Sequence, residues 1–177
     1  RVDANERELL LECREALGAG SAGPGKTQCL VHDCDSRILM EHDRSLLPKN
    51  HEAYRAPGTS LGWALHLRRQ RSSLENTIRR SFLVFPRMDP DARFDTQRGT
   101  WIFSSGYRYT FGHCKDPTDW QQYLSQEFDW IGFDELVEFE QEQYTQIEAR
   151  CRSSDKYLRQ NVVEFELNGE TRRYIAG

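Results

Sequence analysis

Features that mark membrane and secreted proteins are absent from this chain of 177 residues. No apolar run approaches the ~18 residues of a membrane-spanning helix. The polar opening, Arg1 to Glu8, carries no signal-peptide pattern. We therefore expect a protein without a membrane partner that is not exported. Because the chain opens on Arg1 rather than on methionine, we also expect its natural N-terminus to lie further upstream.

Metal-binding and disulfide patterns are absent as well. The five cysteines form no C-x-x-C pair, and their odd number argues against a disulfide framework. We interpret them as free thiols in a reducing cytosol. The histidines form no H-E-x-x-H motif, and we interpret them as ordinary core or surface residues: His32, His42, His51, His66 and His113.

Positive charge is not in excess, since the net charge is −4. This excludes a chain coated in positive charge but leaves room for a local basic stripe. One such stripe combines Arg68–Arg71 with Arg79 and Arg80. A solvated helix face is the simpler interpretation, and a nucleic-acid contact is the alternative.

A glycine-rich segment, GSAGPGKT, fits the phosphate-binding pattern G-x-x-x-x-G-K-[ST]. Backbone N–H groups in such a loop, at a helix N-terminus, point at the charged phosphates. Lys26 would reach the β- and γ-phosphates, and the Thr27 hydroxyl would hold Mg²⁺. The alternative is a surface turn that leads into a helix. The predicted nucleotide-binding residues are Gly20, Ser21, Ala22, Gly23, Pro24, Gly25, Lys26 and Thr27.

An apolar run that ends in two carboxylates, Trp130 to Glu135, supplies a second motif. In phosphate-loop enzymes a buried strand, the Walker B strand, delivers an Asp to the Mg²⁺ shell. We assign Asp134 to that role and Glu135 to polarising the attacking water. With Lys26, Glu135 forms the predicted catalytic pair. The alternative is a core strand that runs into a helix N-terminus, where acidic residues are favoured.

The local pattern predicts helices and strands in alternation. A capping-box signature at Asp3–Glu6 predicts a short helix, and 14–18 is the candidate strand before the phosphate loop. A helix is predicted from Lys26 to about Cys34. Residues 42–60 are predicted to form a loop, and 63–67 a buried strand.

In the second half, a helix is predicted to open at Ser72–Glu75, to run to about Val84 and to be broken by Pro86 and Pro90. Alternating aromatic residues between 92 and 111 predict a β-meander in which the rings pack the sheet. Short helices are predicted at 119–126 and about 140–150. Asn168-Gly169 between alternating runs predicts a hairpin with a type I′ turn.

Together these elements predict an α/β protein with a RecA-like (ASCE-type) P-loop fold. Its three layers would surround a mostly parallel central sheet, with the β-meander added. Asp134 lies 108 positions after Lys26, so another strand is expected between the phosphate loop and the Walker B strand. We treat residues 1–177 as a single domain, which its length allows.

Several longer segments, taken in order, resemble the N-terminal ATPase domain of phage large terminases. In that family a strand ends in two arginines, and W-x-F-x-S-G and F-G-H motifs precede an I-G-F-D-E-L stretch. A tyrosine-bearing helix that ends in R-x-R follows. The corresponding segments here are Trp63–Arg69, Thr100–Gly106, Phe111–His113, Glu127–Leu136 and Gln143–Arg152.

The resemblance, which covers roughly residues 15–155, implies a motor that uses ATP and Mg²⁺ to drive double-stranded DNA into a viral procapsid. It implies a portal protein, a small terminase subunit and a homo-oligomeric ring on the portal as partners, in the host cell cytoplasm. Family members carry a C-terminal nuclease domain, whose acidic cluster has no counterpart here. We therefore expect no nuclease activity from this chain.

The chain departs from the family pattern in three places. The interior of the phosphate loop lacks the arginine that many members carry. The position of the expected trans-acting arginine finger is Gln122, which leaves Arg68, Arg69, Arg150 and Arg152 as candidates. The family's coupling strand has no counterpart near 155–162: either a stretch has been left out there, which we favour, or the coupling segment is absent.

Two other functions remain open. One is another DNA-associated RecA-like ATPase, such as a helicase or recombination enzyme, which would share both nucleotide motifs. The other is a degenerate domain that binds nucleotide for assembly or regulation, an alternative to which Gln122 gives weight. A plain DNA-binding module leaves both motifs unexplained.

Overall fold

An open five-stranded sheet forms the framework of the computed structural model, which describes residues 26–160 and 162–175. Its strands lie in the order β2-β3-β4-β1-β5. β1 pairs in parallel with β4 and β5, whereas β2, β3 and β4 form an antiparallel meander. The strands are β1 (Trp63–Arg68), β2 (Arg93–Asp95), β3 (Thr100–Ile102), β4 (Arg108–His113) and β5 (Trp130–Phe133).

Within the described residues, four α-helices accompany this sheet: α1 (Lys26–Asp33), α2 (Asp35–Arg44), α3 (Glu75–Met88) and α4 (Gln141–Glu148). Short 3₁₀ helices occupy Arg71–Leu74, Asp119–Tyr123 and Leu136–Glu138. A separate antiparallel hairpin pairs β6 (Val162–Leu167) with β7 (Glu170–Ile175). None of the helices in these residues is long and apolar enough to cross a membrane.

The side chains of β1 alternate between two hydrophobic clusters. Ala64 belongs to a large cluster that includes Phe85 of α3, and Leu65 and Leu67 belong to a second that includes Ile147 of α4. Because successive strand residues point to opposite faces, this central part of the sheet is covered on both sides. The α/β prediction is confirmed, with a mixed sheet whose architecture is compatible with three layers.

Most of the predicted elements are confirmed. The strand at 63–67, the meander, the strand of the acidic motif and the terminal hairpin are all present. Asn168 and Gly169 both have positive φ, 54° and 80°, as a type I′ turn requires. The meander aromatics pack in the core as expected: Trp101, Phe103, Tyr107, Tyr109 and Phe111 are buried. The helix at Asp3–Glu6, the strand at 14–18 and the loop 20–25 lie outside the described residues.

The prediction that Pro86 breaks the helix was wrong, because α3 continues to Met88. Phe85 is fully buried against Trp101 and Tyr109, and its carbonyl accepts a hydrogen bond from the backbone of Asp89. This packing outweighs the hydrogen bond lost at the proline. The predicted capping box at Ser72 is also wrong, since α3 begins at Glu75 with no side-chain cap.

Helix α2 was not predicted, and it extends three residues into the expected loop. This polar helix buries two charged side chains, Glu41 and Arg44, which form an ion pair with each other. Arg44 also donates to Asp155, 3.1 Å away, and to the carbonyl of Ala53. A helix that buries charged groups gives little apolar periodicity, which explains the missed prediction.

Candidate functional site

Two parallel strands end side by side and bring the predicted acidic motif next to a basic residue. Leu67 of β1 is in register with Phe133 of β5, and the Asp134 N–H donates to the Leu67 carbonyl at 2.8 Å. Arg68 follows Leu67 and Asp134 follows Phe133, so these two residues meet at the carboxyl edge of the sheet. Ligands commonly bind at this edge in open α/β sheets.

The Arg68 guanidinium bridges both carboxylates of the motif. Its Nε donates to Asp134 Oδ2 at 2.8 Å, and its Nη2 donates to Glu135 Oε1 at 2.9 Å. The Asp134 side chain is 6% exposed, whereas that of Glu135 is 52% exposed. The inner carboxylate is thus held in the protein, and the outer one reaches solvent.

Asp134 is kept ionised by its neighbours. Burial acts to raise its pKa, but His66 and the hydrogen-bonded Arg68 lower it by more, so the pKa lies well below its ordinary value. The paired carboxylates in turn raise the pKa of Arg68 against the opposing effect of burial. Mg²⁺ in nucleotide sites is usually bound through one or two such ionised carboxylates.

Glu135 has an unusual backbone conformation, with φ 60° and ψ 56°. A left-handed conformation is uncommon for a residue other than glycine and costs roughly 1–2 kcal/mol. It turns the chain sharply from β5 into the 3₁₀ helix at Leu136–Glu138. Strained residues of this kind cluster at functional sites, which adds weight to the prediction for Glu135.

The phosphate-loop prediction falls mostly outside the described residues. Gly20, Ser21, Ala22, Gly23, Pro24 and Gly25 are not described, and Lys26 and Thr27 are the first two residues of α1. At the other end of α1, Asp33 accepts a 3.0 Å hydrogen bond from the indole of Trp130, the first residue of β5. The helix that follows the motif is therefore tied to the strand that carries Asp134.

The described residues contain no group of three or more His, Cys, Asp or Glu side chains that could hold a metal alone. Mg²⁺ sites in nucleotide enzymes are usually built from one or two carboxylates together with substrate phosphates. Asp134 offers such a carboxylate, and the buried Nε2 of His66 faces it with no hydrogen-bond partner among the described residues. The single ionised carboxylate of Asp134 therefore fits a metal that arrives with a nucleotide.

The candidate arginine fingers differ in their bonding. Arg68 binds the two carboxylates of its own chain, and Arg69 donates to Gln143 and to the carbonyl of Glu138. Arg152 pairs with Glu127 at 3.1 Å, and both side chains are more than half exposed. Of these three, Arg152 is the easiest to release toward a neighbouring molecule. Arg150, the fourth candidate, has a buried Nε without a partner in the described part of the chain.

Gln122 bonds to its own chain. Its amide donates to the carbonyls of His113 and Asp119, at 3.2 and 2.9 Å, although the residue is exposed. The structure describes the side chains of Cys34, Cys114 and Cys151, and all three are free thiols.

Sequence reasoning missed His66, which it treated as an ordinary residue. The structure buries it completely in the middle of β1, with Nε2 3.9 Å from Asp134 Oδ2. The signal was its period-two relation to Arg68, which puts both side chains on the same face of the strand.

No family model, curated protein or solved structure matches this chain.

Proposed function

We propose that this chain is a Mg²⁺-dependent ATPase, the motor domain of a terminase-like protein that drives double-stranded DNA into a procapsid. The observation that carries the proposal is the pair Asp134 and Glu135, held by Arg68 at the carboxyl edge of parallel strands, in a chain that also carries G-x-x-x-x-G-K-T. A RecA-like fold is part of the proposal.

Each residue of the two motifs has a chemical role in this proposal. Lys26 binds the β- and γ-phosphates, while Thr27 and Asp134 hold Mg²⁺. The metal, when bound, neutralises charge on the phosphates. Glu135 orients the attacking water and accepts its proton. A half-exposed carboxylate beside a buried, ionised one suits this division of work.

The dimensions of α1 and β5 support a common site. From the anchor between Asp33 and Trp130, α1 spans about 11 Å back to Lys26. The extended chain from Trp130 to Asp134 spans about 13 Å. We infer that α1 runs antiparallel to β5 from this anchor, which would bring Lys26 to the level of Asp134.

The contact between Arg68 and Glu135 bears on when the site is active. Glu135 Oε1 already accepts a hydrogen bond from Arg68, so the carboxylate is engaged. Proton transfer needs a general base within hydrogen-bond reach of its water. We infer that the Arg68–Glu135 contact opens before hydrolysis, while Asp134 stays ionised.

Helix α3 supports the DNA part of the proposal. Arg79, Arg80 and Arg87 are exposed on it, and none forms an ion pair within the described ranges. By contrast, Arg172 and Arg173 of the hairpin pair with glutamates. Uncompensated arginines on a chain of net charge −4 are suited to phosphodiester groups. Contacts of this kind position the protein without reading sequence.

The remaining elements of the proposal come from the resemblance to terminases alone. They are a ring of subunits on a portal protein, a small terminase subunit and action in the host cell cytoplasm. Each subunit would supply an arginine to its neighbour, and Arg152 suits this role because its ion pair is exposed.

Steady-state ATP hydrolysis, measured with and without double-stranded DNA, tests the proposal. We expect Mg²⁺-dependent turnover that DNA stimulates. The absence of turnover despite nucleotide binding would favour a domain that binds nucleotide for assembly or regulation. Gln122, whose amide donates to backbone carbonyls of its own chain, also favours that alternative. Packaging with purified procapsids separates the motor from other DNA-associated ATPases.

A further inference from the structure

The ring of His66 sits in a fully buried position and is fixed by aromatic neighbours. Its centroid lies 5.5 Å from that of Phe111 and 6.4 Å from that of Trp130. The side chain has no exposed surface. An imidazole in such surroundings has a defined orientation, so the direction of each ring nitrogen is meaningful.

One ring nitrogen is occupied and the other is aimed at the acidic motif. Nδ1 lies 2.8 Å from the hydroxyl of Tyr109, whereas Nε2 lies 3.9 Å from Asp134 Oδ2. The second distance exceeds a hydrogen bond. Nε2 is nonetheless buried without any other partner in the residues that the structure describes. Buried polar groups without partners are rare and call for an explanation.

The proton on this imidazole can be assigned from its neighbours. A carboxylate only accepts hydrogen bonds, so the nitrogen that faces Asp134 carries the hydrogen. Nδ1 is then an acceptor, and the Tyr109 hydroxyl donates to it. Tyr109 therefore donates to His66, and the Nε2–H of His66 points toward Asp134. Each group can orient the side chain of the next.

We propose that His66 is a positioning residue for Asp134, with its Nε2–H donating to Oδ2 when the carboxylate takes up its metal-binding orientation. This inference rests on the proposed function, in which Asp134 holds Mg²⁺. At present Oδ2 accepts from Arg68, so the His66 contact tightens once that guanidinium withdraws. Partners behind metal ligands commonly fix their orientation in this way.

The test measures Mn²⁺ affinity, by electron paramagnetic resonance of the free ion, in the presence of a non-hydrolysable ATP analogue. His66→Leu removes the donor, whereas His66→Gln can replace the Nε2–H with an amide. We expect Leu to weaken Mn²⁺ binding about tenfold and Gln to recover it to within about threefold of wild type. Nucleotide affinity in EDTA, which reports the phosphate loop without metal, stays unchanged in both.

Tyr109→Phe provides a second, milder variant in case His66→Leu does not fold. This substitution removes only the hydroxyl that fixes the His66 ring. We expect Mn²⁺ affinity to fall about threefold, which is less than the loss expected when His66 itself is replaced by leucine. Equal Mn²⁺ affinity in wild type and Tyr109→Phe, or equal losses in folded His66→Leu and His66→Gln, would overturn the inference alone. A wild-type chain that binds no Mn²⁺ with nucleotide would overturn the proposed function as well.

Discussion

Arg68, the last residue of β1, donates from Nε to Asp134 Oδ2 at 2.8 Å, directly after the end of β5. The two residues are 66 positions apart in sequence and meet because their strands are parallel neighbours. The same guanidinium reaches Glu135 through Nη2. One arginine thus organises both carboxylates that the proposed chemistry needs.

Glu135→Gln should retain ATP binding and lose turnover. The amide cannot accept a proton from water, and a general base contributes roughly 10²–10⁴-fold to rate. Nucleotide binding and hydrolysis, measured on the same preparation, check the prediction. Glu138→Gln is the matched control, because Glu138 is an exposed carboxylate three residues further on. Unchanged turnover in Glu135→Gln would remove Glu135 from its role.

Arg68→Gln should lower the free energy of unfolding by roughly 1–3 kcal/mol. The substitution breaks two charge-assisted hydrogen bonds, one to Asp134, whose side chain is 6% exposed, and one to Glu135. Urea denaturation measures the change.

The control for this change is Arg152→Gln, which removes an exposed ion pair with Glu127. Such pairs contribute at most about 1 kcal/mol. Equal effects of the two substitutions would contradict the account of Arg68.

Asp155 should make folding sensitive to acid. Burial acts to raise the pKa of Asp155. The Tyr157 backbone N–H and the guanidinium groups of Arg44 and Arg55 lower it by a larger amount, so its pKa in the folded protein is below the ordinary value. Its stabilisation is therefore complete above the unfolded pKa of about 3.9 and is lost as pH falls from there toward the folded pKa.

Urea denaturation of wild type and Asp155→Asn between pH 7 and pH 3 checks this. The difference in unfolding free energy should be constant near neutrality and shrink below about pH 4.5. Comparing wild type with this one substitution separates the effect of Asp155 from that of Asp129. Burial raises the pKa of Asp129, so its contribution to the pH dependence of stability has the opposite sign. A difference that grows on acidification would contradict the argument.

Arg80→Gln combined with Arg87→Gln should weaken binding to double-stranded DNA. If each arginine neutralises a phosphate, the slope of log K against log salt becomes shallower by about one for each arginine replaced. Fluorescence anisotropy at several salt concentrations measures both quantities. Arg172→Gln with Arg173→Gln provides the control, because these exposed arginines already pair with glutamates. An equal loss of DNA affinity in the two double variants would mean that the net charge of the chain, rather than a contact by α3, determines DNA binding.

Strong local signals were enough to predict much of the fold. Alternating aromatic residues gave the meander, and Asn168-Gly169 gave the hairpin turn. The errors arose where tertiary contacts override local rules, as at Pro86, which the packing of Phe85 tolerates, and in α2, whose charges are buried in pairs.

For the site, sequence order identified Asp134 and Glu135 as neighbours but not what surrounds them. The roles of Arg68 and His66 depend on β1 lying beside β5, which local pattern does not specify. Arg68 was one of four candidate fingers toward another subunit, and in the structure it binds the carboxylates of its own chain. The predictions for Lys26, Thr27, ATP and Mg²⁺ stay predictions.

A crystal structure with Mg²⁺ and a non-hydrolysable ATP analogue tests the central claim most directly. The account predicts a triphosphate held by residues 20–27, a metal within about 2.1 Å of its oxygen ligands, and Asp134 bound to that metal directly or through water. Glu135 should face the γ-phosphate, free of Arg68. Triphosphate bound far from Asp134, with the Arg68 contacts intact, would contradict it.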